Sequence, residues 1–407
     1  MEPLLYLVHR IPFPPNKGDK IRSYHLLRHL ARRYAVHLGT FVDAPGDRAH
    51  IAQLESLCAA HHVETLNPRL ARLRSVSGFF TGEALTLVYY RSMTMQQWVR
   101  RVVQQRSIRK AVVFSGAMAQ YVEGLDLRVV LDFVDVDSAK WSEYAERRRW
   151  PASFVYRREG RRLLSFERRA ASASSASVFV TRAEVDLFER LAPECHGRTA
   201  VVEMGVNTDY FAPRPERSSP FQPDELPIVF SGAMDYWPNI DAATWFAIEV
   251  MPRIAQAMAK ARFYVVGMNP SPAVTALAAR PDTVVTGTVP DIRPYVQHAA
   301  VVVAPLRVAR GVQSKVLEAM AMARPVVVSS AARQGLRGEP GKEYMVATSA
   351  EEFSSAVLAL ISTEAASEMG RRARSRILSD YVWERNLSAF DELLDGRTPQ
   401  LPASHVH

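Results

Sequence analysis

Long apolar runs are missing from this 407-residue chain. A membrane-crossing helix needs roughly 18 consecutive apolar residues, and none occurs. Leu4–Val8 is a short apolar run followed at once by His9 and Arg10, which predicts no signal peptide. Cysteine is scarce. Cys58 and Cys195 are too few for a disulfide framework or a metal motif, which points to a reducing, cytoplasmic setting. Histidine forms no metal-binding pair; His61–His62 and His405–His407 read as surface residues, and no metal is expected. G-x-G-x-x-G is absent from the first loop, which holds Gly18 alone, so a dinucleotide site is not expected there. No segment is biased enough in composition to be disordered.

What is present is a soluble globular composition, 48% hydrophobic and 23% charged, long enough for two domains. The net charge of +9 is uneven. Residues 1–205 carry 31 Lys and Arg against 21 Asp and Glu, and the remainder carries 20 against 21. The excess peaks between Glu146 and Arg169, where nine arginines face three acids and Trp150, Phe154 and Tyr156 lie among them. Cations beside aromatics suit an anionic membrane surface, here assigned to Arg147–Arg169; a solvated helix face is the plainer explanation. Nucleic acid is not an expected partner.

Hydrophobic patterning gives the architecture. Short valine-rich runs alternate with amphipathic stretches along the whole chain, the pattern of parallel sheets covered by helices. A stretch with prolines at 213, 215, 220 and 223 reads as a linker, residues 213–227. It separates an N-terminal domain (1–212) from a C-terminal one (228–380), followed by a helix at 381–395 that is expected to cross back to the N-terminal domain, and a tail, 396–407. Residues 47–60 are expected to be one helix. The fold expected is α/β, two Rossmann-like doubly wound domains facing a cleft.

Ala299–Ser330 is a strand, a loop, a helix opened by Gly311, and a second strand after Pro325. Lys315 and Glu318 share one face near that helix's start. Helix starts at the carboxyl ends of parallel strands favour anions such as a diphosphate, and a carboxylate one turn further in can accept a ribose diol. A surface ion pair would give the same spacing. Asn16, Lys17, Gly18 and Asp19 follow the first strand, where a loop can face a ligand. Asp132, Asp135 and Asp137 cluster past another strand; they could hold a cation, bind sugar hydroxyls or act as a base, or Asp137 and Ser138 could cap the next helix.

The order of GVNTDYF, FSGAMDYWPNIDA, FYVVG, VTGTVPDIRPY and APLRVARGVQSKVLEAMAMARPVV resembles retaining glycosyltransferases of the GT-B fold, glycosyltransferase family 4. YLVHRIPFPPNKGDKIRSYHLLRHLA and DFVDVDSAKWSEYA resemble more narrowly the sugar transferases of exosortase (PEP-CTERM) polysaccharide loci. The resemblance implies a UDP- or GDP-sugar co-substrate on the C-terminal domain and a lipid-linked or glycan acceptor on the N-terminal one, at the inner membrane face. It assigns the ribose to Glu318, the diphosphate to Gly311, Val312, Gln313 and Ser314, the base to Gly287, Thr288 and Val289, and glycine-loop contacts to Gly232 and Gly18. Asn16, Lys17 and Asp19 are the candidate acceptor residues. Three positions depart from the pattern. Arg310 stands where the family often has a glutamate, Ala233 where it has a basic residue, and Ser115–Gly116 where it has a histidine. Arg310 and Lys315 are therefore expected to meet phosphate, and Asp135 or Asp137 the acceptor. An epimerase-like nucleotide-sugar enzyme on the same scaffold is the alternative activity.

Overall fold

The computed structural model describes residues 1–397 apart from Asn16, Arg147, Arg310 and Ser362. Expectations resting on Asn16, Arg147, Arg310 and the tail from residue 398, with His405 and His407, lie outside the described residues.

The chain divides into two units. The first comprises residues 1–203 and 387 onward, the second residues 204–386. The division falls at Glu203/Met204, ahead of the prolines, because the segment after Glu203 is tied to the second unit. Val206 donates its N–H to Tyr381 at 2.8 Å, and Asn386 donates to the Met204 carbonyl at 3.0 Å.

The first unit is built on seven parallel strands: β1 (Glu2–Val8), β2 (Tyr34–Val42), β3 (Ala60–Thr65), β4 (Lys110–Phe114), β5 (Arg128–Val134), β6 (Ala176–Phe179) and β7 (Thr199–Val201). Their order is β3-β2-β1-β4-β5-β6-β7. Leu4–Val8 of β1 is wholly buried, as a central parallel strand covered on both faces must be. The second unit has six: β8 (Leu226–Ser231), β9 (Ala261–Val266), β10 (Thr283–Gly287), β11 (Val301–Ala304), β12 (Val326–Ser329) and β13 (Met345–Ala347), in the order β10-β9-β8-β11-β12-β13. In each sheet the strand order reverses beside the first strand. Open α/β sheets bind ligands beyond the carboxyl ends at such a reversal.

The single helix expected over residues 47–60 does not form. A 3₁₀ turn at Pro45–His50 and a short helix at Ala52–Glu55 stand there instead. Asp47 is held by Lys20 at 2.6 Å, and Ala60 already pairs with His37 as the start of β3. The helix after Gly311 is shorter than expected, Ser314–Ala321. Ala323 takes a left-handed φ of 55° ahead of Pro325. Helix Glu364–Asp380 clamps that end: a Cβ on Gly370 would lie 2.1 Å from the Ala323 carbonyl oxygen, and Arg374 donates to the Ala321 carbonyl.

Candidate functional site

In the second unit, β8, β9 and β10 run side by side and lead into Gly232, Gly267 and Gly287. The backbones meet closely there. Gly232 donates its N–H to the Val266 carbonyl at 3.1 Å, and Gly267 to the Gly287 carbonyl at 3.3 Å. A Cβ on Gly267 would lie 1.7 Å from the Gly232 carbonyl oxygen, so only glycine fits. Gly287 has φ 68° with open space around it, and the loop continues through exposed Thr288 and half-buried Val289.

Two side chains close on the Gly232 loop. Asn239, near the start of helix Trp237–Trp245, donates from Nδ2 to the Ala233 carbonyl at 2.9 Å. Its Oδ1 accepts from Lys315 Nζ at 2.7 Å. The same ammonium lies 4.3 Å from the centre of the Phe230 ring, a cation–π contact. A Cβ on Gly232 would meet Asn239 Nδ2 at 2.8 Å and Lys315 Nζ at 3.0 Å. Lys315 therefore brings a positive charge to the loop in which Ala233 replaces a basic residue.

Glu318 sits one turn further along the same helix. It makes no ion contact with Lys315 and no hydrogen bond among the described residues, which rules out the surface pair that spacing alone allowed. Solvent reaches part of both side chains, but dense protein surrounds them and governs their electrostatics. Burial pushes the Glu318 carboxyl up to about 7, against the opposing pull of Lys315. Burial likewise pushes the Lys315 ammonium down to about 7, with Glu318 resisting. Gly311 has φ 64°, Val312 is buried, and Gln313 precedes the helix with its amide donating to the Gly311 carbonyl at 3.3 Å. No side chain caps the helix start at Ser314.

In the first unit the three aspartates separate. Asp132 is fully buried and grips Arg22, also fully buried, at 2.8 Å and 3.3 Å. It is a structural ion pair and unavailable to a ligand. Asp135 and Asp137 share the Lys140 ammonium at 2.8 Å and 3.1 Å. Against the cost of burial, they hold Lys140 well above its usual range. Of the roles open to these acids, Asp135 and Asp137 hold a cation, a lysine of the same chain, and no metal-binding cluster occurs among the described residues. Helix Asp137–Glu146 begins at Asp137, but its capping acceptor comes from elsewhere. Buried Glu167 takes the Ser138 N–H at 3.1 Å and the Ser138 hydroxyl. Burial, then the Asp137 charge, pushes Glu167 up to about 8. Asp135 Oδ1 is buried without a hydrogen-bond partner among the described residues, beyond Val134, which has a left-handed φ of 69°.

The first loop of this unit is locked. Asp19 accepts from Arg10 at 2.9 Å and faces His9 Nε2 at 3.4 Å, while Arg10 also binds Asp43 at 2.8 Å. Against the opposing effect of burial, His9 and Arg10 hold the Asp19 carboxyl far below its usual range. Gly18 is exposed as the first residue of helix Gly18–Ala31, and a Cβ there meets nothing within 4 Å. Lys17 beside it is exposed. His9 stacks on Phe114 with ring centres 5.9 Å apart and meets Tyr90 edge-on at 5.7 Å. Sequence reasoning missed His9, Arg10, Asn239 and Gly267. Gly267 had a visible signal, a glycine directly after a buried strand; the others are recognised only by what they touch.

Comparison with known proteins bears on both units. Residues 225–363 match the sequence model of a family described as glycosyl transferases group 1. No curated protein matches the chain by sequence. Among solved structures, sucrose-phosphate synthase from Thermosynechococcus elongatus superposes with a TM-score of 0.73 at 16% identity, covering 97% of this chain and 98% of that one. Anabaena HepE in complex with UDP gives 0.69 at 15%, covering 97% and 100%. WaaG, a glycosyltransferase involved in lipopolysaccharide biosynthesis, gives 0.61 at 13%, covering 96% and 99%. The chain has the GT-B fold. In GT-B terms, the glycine-lined loops, Asn239, Lys315 and Glu318 lie within the part matched to the family model, and the Asp135–Lys140–Asp137 group lies outside it.

Proposed function

We propose that the protein is a retaining, metal-independent glycosyltransferase that takes a hexosyl or related group from a UDP- or GDP-sugar. The acceptor is lipid-linked or polysaccharide, the process exopolysaccharide biosynthesis of the exosortase (PEP-CTERM) kind, and the setting the inner membrane face. One observation carries the reading: the Lys315 ammonium, fixed by Asn239, lies over the Gly232 loop one helical turn from a carboxylate with no hydrogen-bond partner among the described residues. Cleaving the donor's bond from the anomeric carbon to the diphosphate oxygen leaves negative charge on the departing diphosphate. A preorganised ammonium in a protein-lined recess, beside an uncapped helix start, stabilises that charge as it develops. Glu318 is suited to accept both hydroxyls of the ribose. The structure of HepE with UDP, and another with UDP-glucose, support a uridine donor. Asp135 is the acceptor-side candidate, through its unpaired oxygen.

A thermal-shift series with UDP-, GDP- and ADP-sugars tests the donor, since a ligand bound only by the native state raises the melting temperature. Glu318→Ala is expected to abolish both the shift and sugar transfer while leaving the fold intact. Unchanged transfer would remove Glu318 from the site.

A further inference from the structure

Helix Pro68–Ser75 is packed inside out. Its buried residue is Ala71, whereas Leu70 and Leu73 are 64% and 72% exposed. Val76, three residues on, continues the stripe in the open. The next turn, Gly78–Thr81, carries Phe80, 89% exposed. Trp150, 82% exposed, and Phe154, 56% exposed, lead into helix Ala152–Ala173.

These two segments form one surface. Arg158 stacks over the Phe79 ring at 4.6 Å and donates to the Glu83 carbonyl at 3.0 Å and the Gly78 carbonyl at 2.5 Å. Glu159 takes the N–H groups of Leu85 and Thr86 at 2.6 Å and 2.8 Å. Phe154 is one turn before Arg158, on the same side of its helix. Around these apolar groups, Arg69, Arg72, Arg148, Arg149, Arg157 and Arg161 are exposed, and none pairs with a carboxylate among the described residues.

We infer that this face, Leu70–Leu73–Phe80–Trp150–Phe154 with its arginine rim, inserts into an anionic phospholipid surface. Leucine and aromatic side chains enter the acyl boundary while unpaired guanidinium groups meet headgroup phosphates. The charge decides the occupant, because a protein partner would have to supply several carboxylates across a bulging apolar ridge. The inference deepens the acceptor side of the proposed function and rests on it only for the acceptor being membrane-borne. It also moves the contact surface expected at Arg147–Arg169. Arg158 is turned inward, Arg168 pairs with Glu194 at 2.6 Å, and helix Pro68–Ser75, in a stretch whose sequence is basic and amphipathic, supplies the ridge.

The test is sedimentation of the full chain with vesicles of equimolar phosphatidylglycerol and phosphatidylcholine, against phosphatidylcholine alone. Retention is expected on the first only. Phe80→Glu and Trp150→Glu each reduce it roughly tenfold, the loss expected for one buried aromatic side chain. Arg69→Glu with Arg72→Glu does the same by charge, and Arg168→Ala changes nothing. Nucleotide-sugar thermal shifts on the same variants stay at the parent value, which shows that the fold is kept. Absent retention on anionic vesicles, or full retention by Phe80→Glu and Trp150→Glu, overturns the proposal, as does loss of polyribonucleotide binding in those variants with vesicle binding unmoved. Lost sugar-donor binding with vesicle retention intact would refute the transferase reading alone.

Discussion

Replacing Glu318 by glutamine should stabilise the unliganded protein at alkaline pH while destroying its donor site. Folding raises the Glu318 carboxyl from 4.5 to about 7. A raised carboxyl favours the native state in its protonated form. The benefit is complete below the unfolded value and is lost as pH rises through about 7. At pH 8 the native protein carries the full cost, about 3 kcal/mol at roughly 1.4 kcal/mol per pH unit. Glutamine removes it but is itself a buried polar group, so the net gain is smaller, about 1–2 kcal/mol. For a unit of this size that corresponds to roughly 2–8 °C in melting temperature. Toward about pH 4 the gain disappears, because Glu318 is protonated in both states. Calorimetry of parent and Glu318→Gln at both pH values decides the matter. A lower melting temperature at pH 8, or the same shift at both, refutes the reasoning.

Three further outcomes follow from the geometry. Gly267→Ala must displace the Gly232 carbonyl and should cost more than about 3 kcal/mol by denaturant unfolding, whereas Gly287→Ala meets only backbone strain of about 1–2 kcal/mol. Arg22→Ala leaves Asp132 buried and unpaired and should cost about 3–5 kcal/mol; Arg22→Met with Asp132→Leu should recover most of that loss in the same assay. Burial lowers Lys315 to about 7, so diphosphate affinity measured by calorimetry should fall as pH rises above neutrality, and Lys315→Met should remove that dependence.

Strands were the most legible part of the chain. Val326–Ser329 was found to the residue because a run of valine bounded by Pro325 and Ser330 has one reading as a covered parallel strand. The helix expected at 381–395 forms as Trp383–Leu394, within two residues at its start and one at its end. Residues 47–60 misled because their apolar spacing also suits two short turns, and the deciding contact, Lys20 with Asp47, spans 27 residues. The site divides along the same line. Glu318 and the glycines announced themselves locally. That Lys315 turns to Asn239, 76 positions away, instead of to Glu318, was invisible. Asp132, Asp135 and Asp137, in and just after β5, looked alike in sequence; burial against Arg22 and the reach of Lys140 made them different.

The C-terminal helix carries a consequence for synthesis. Lys110 and Arg33 of the first unit find Asp395 only there, at 3.2 Å and 2.7 Å, and His29 meets Asp391 at 3.0 Å. The unit whose residues leave the ribosome first is therefore finished last, after the entire second unit has been translated. Until then Arg33 and His29 lack these carboxylates, while Lys110 has Glu2 at 3.0 Å. A nascent chain stalled within the second unit would present this incomplete, positively charged cluster to chaperones.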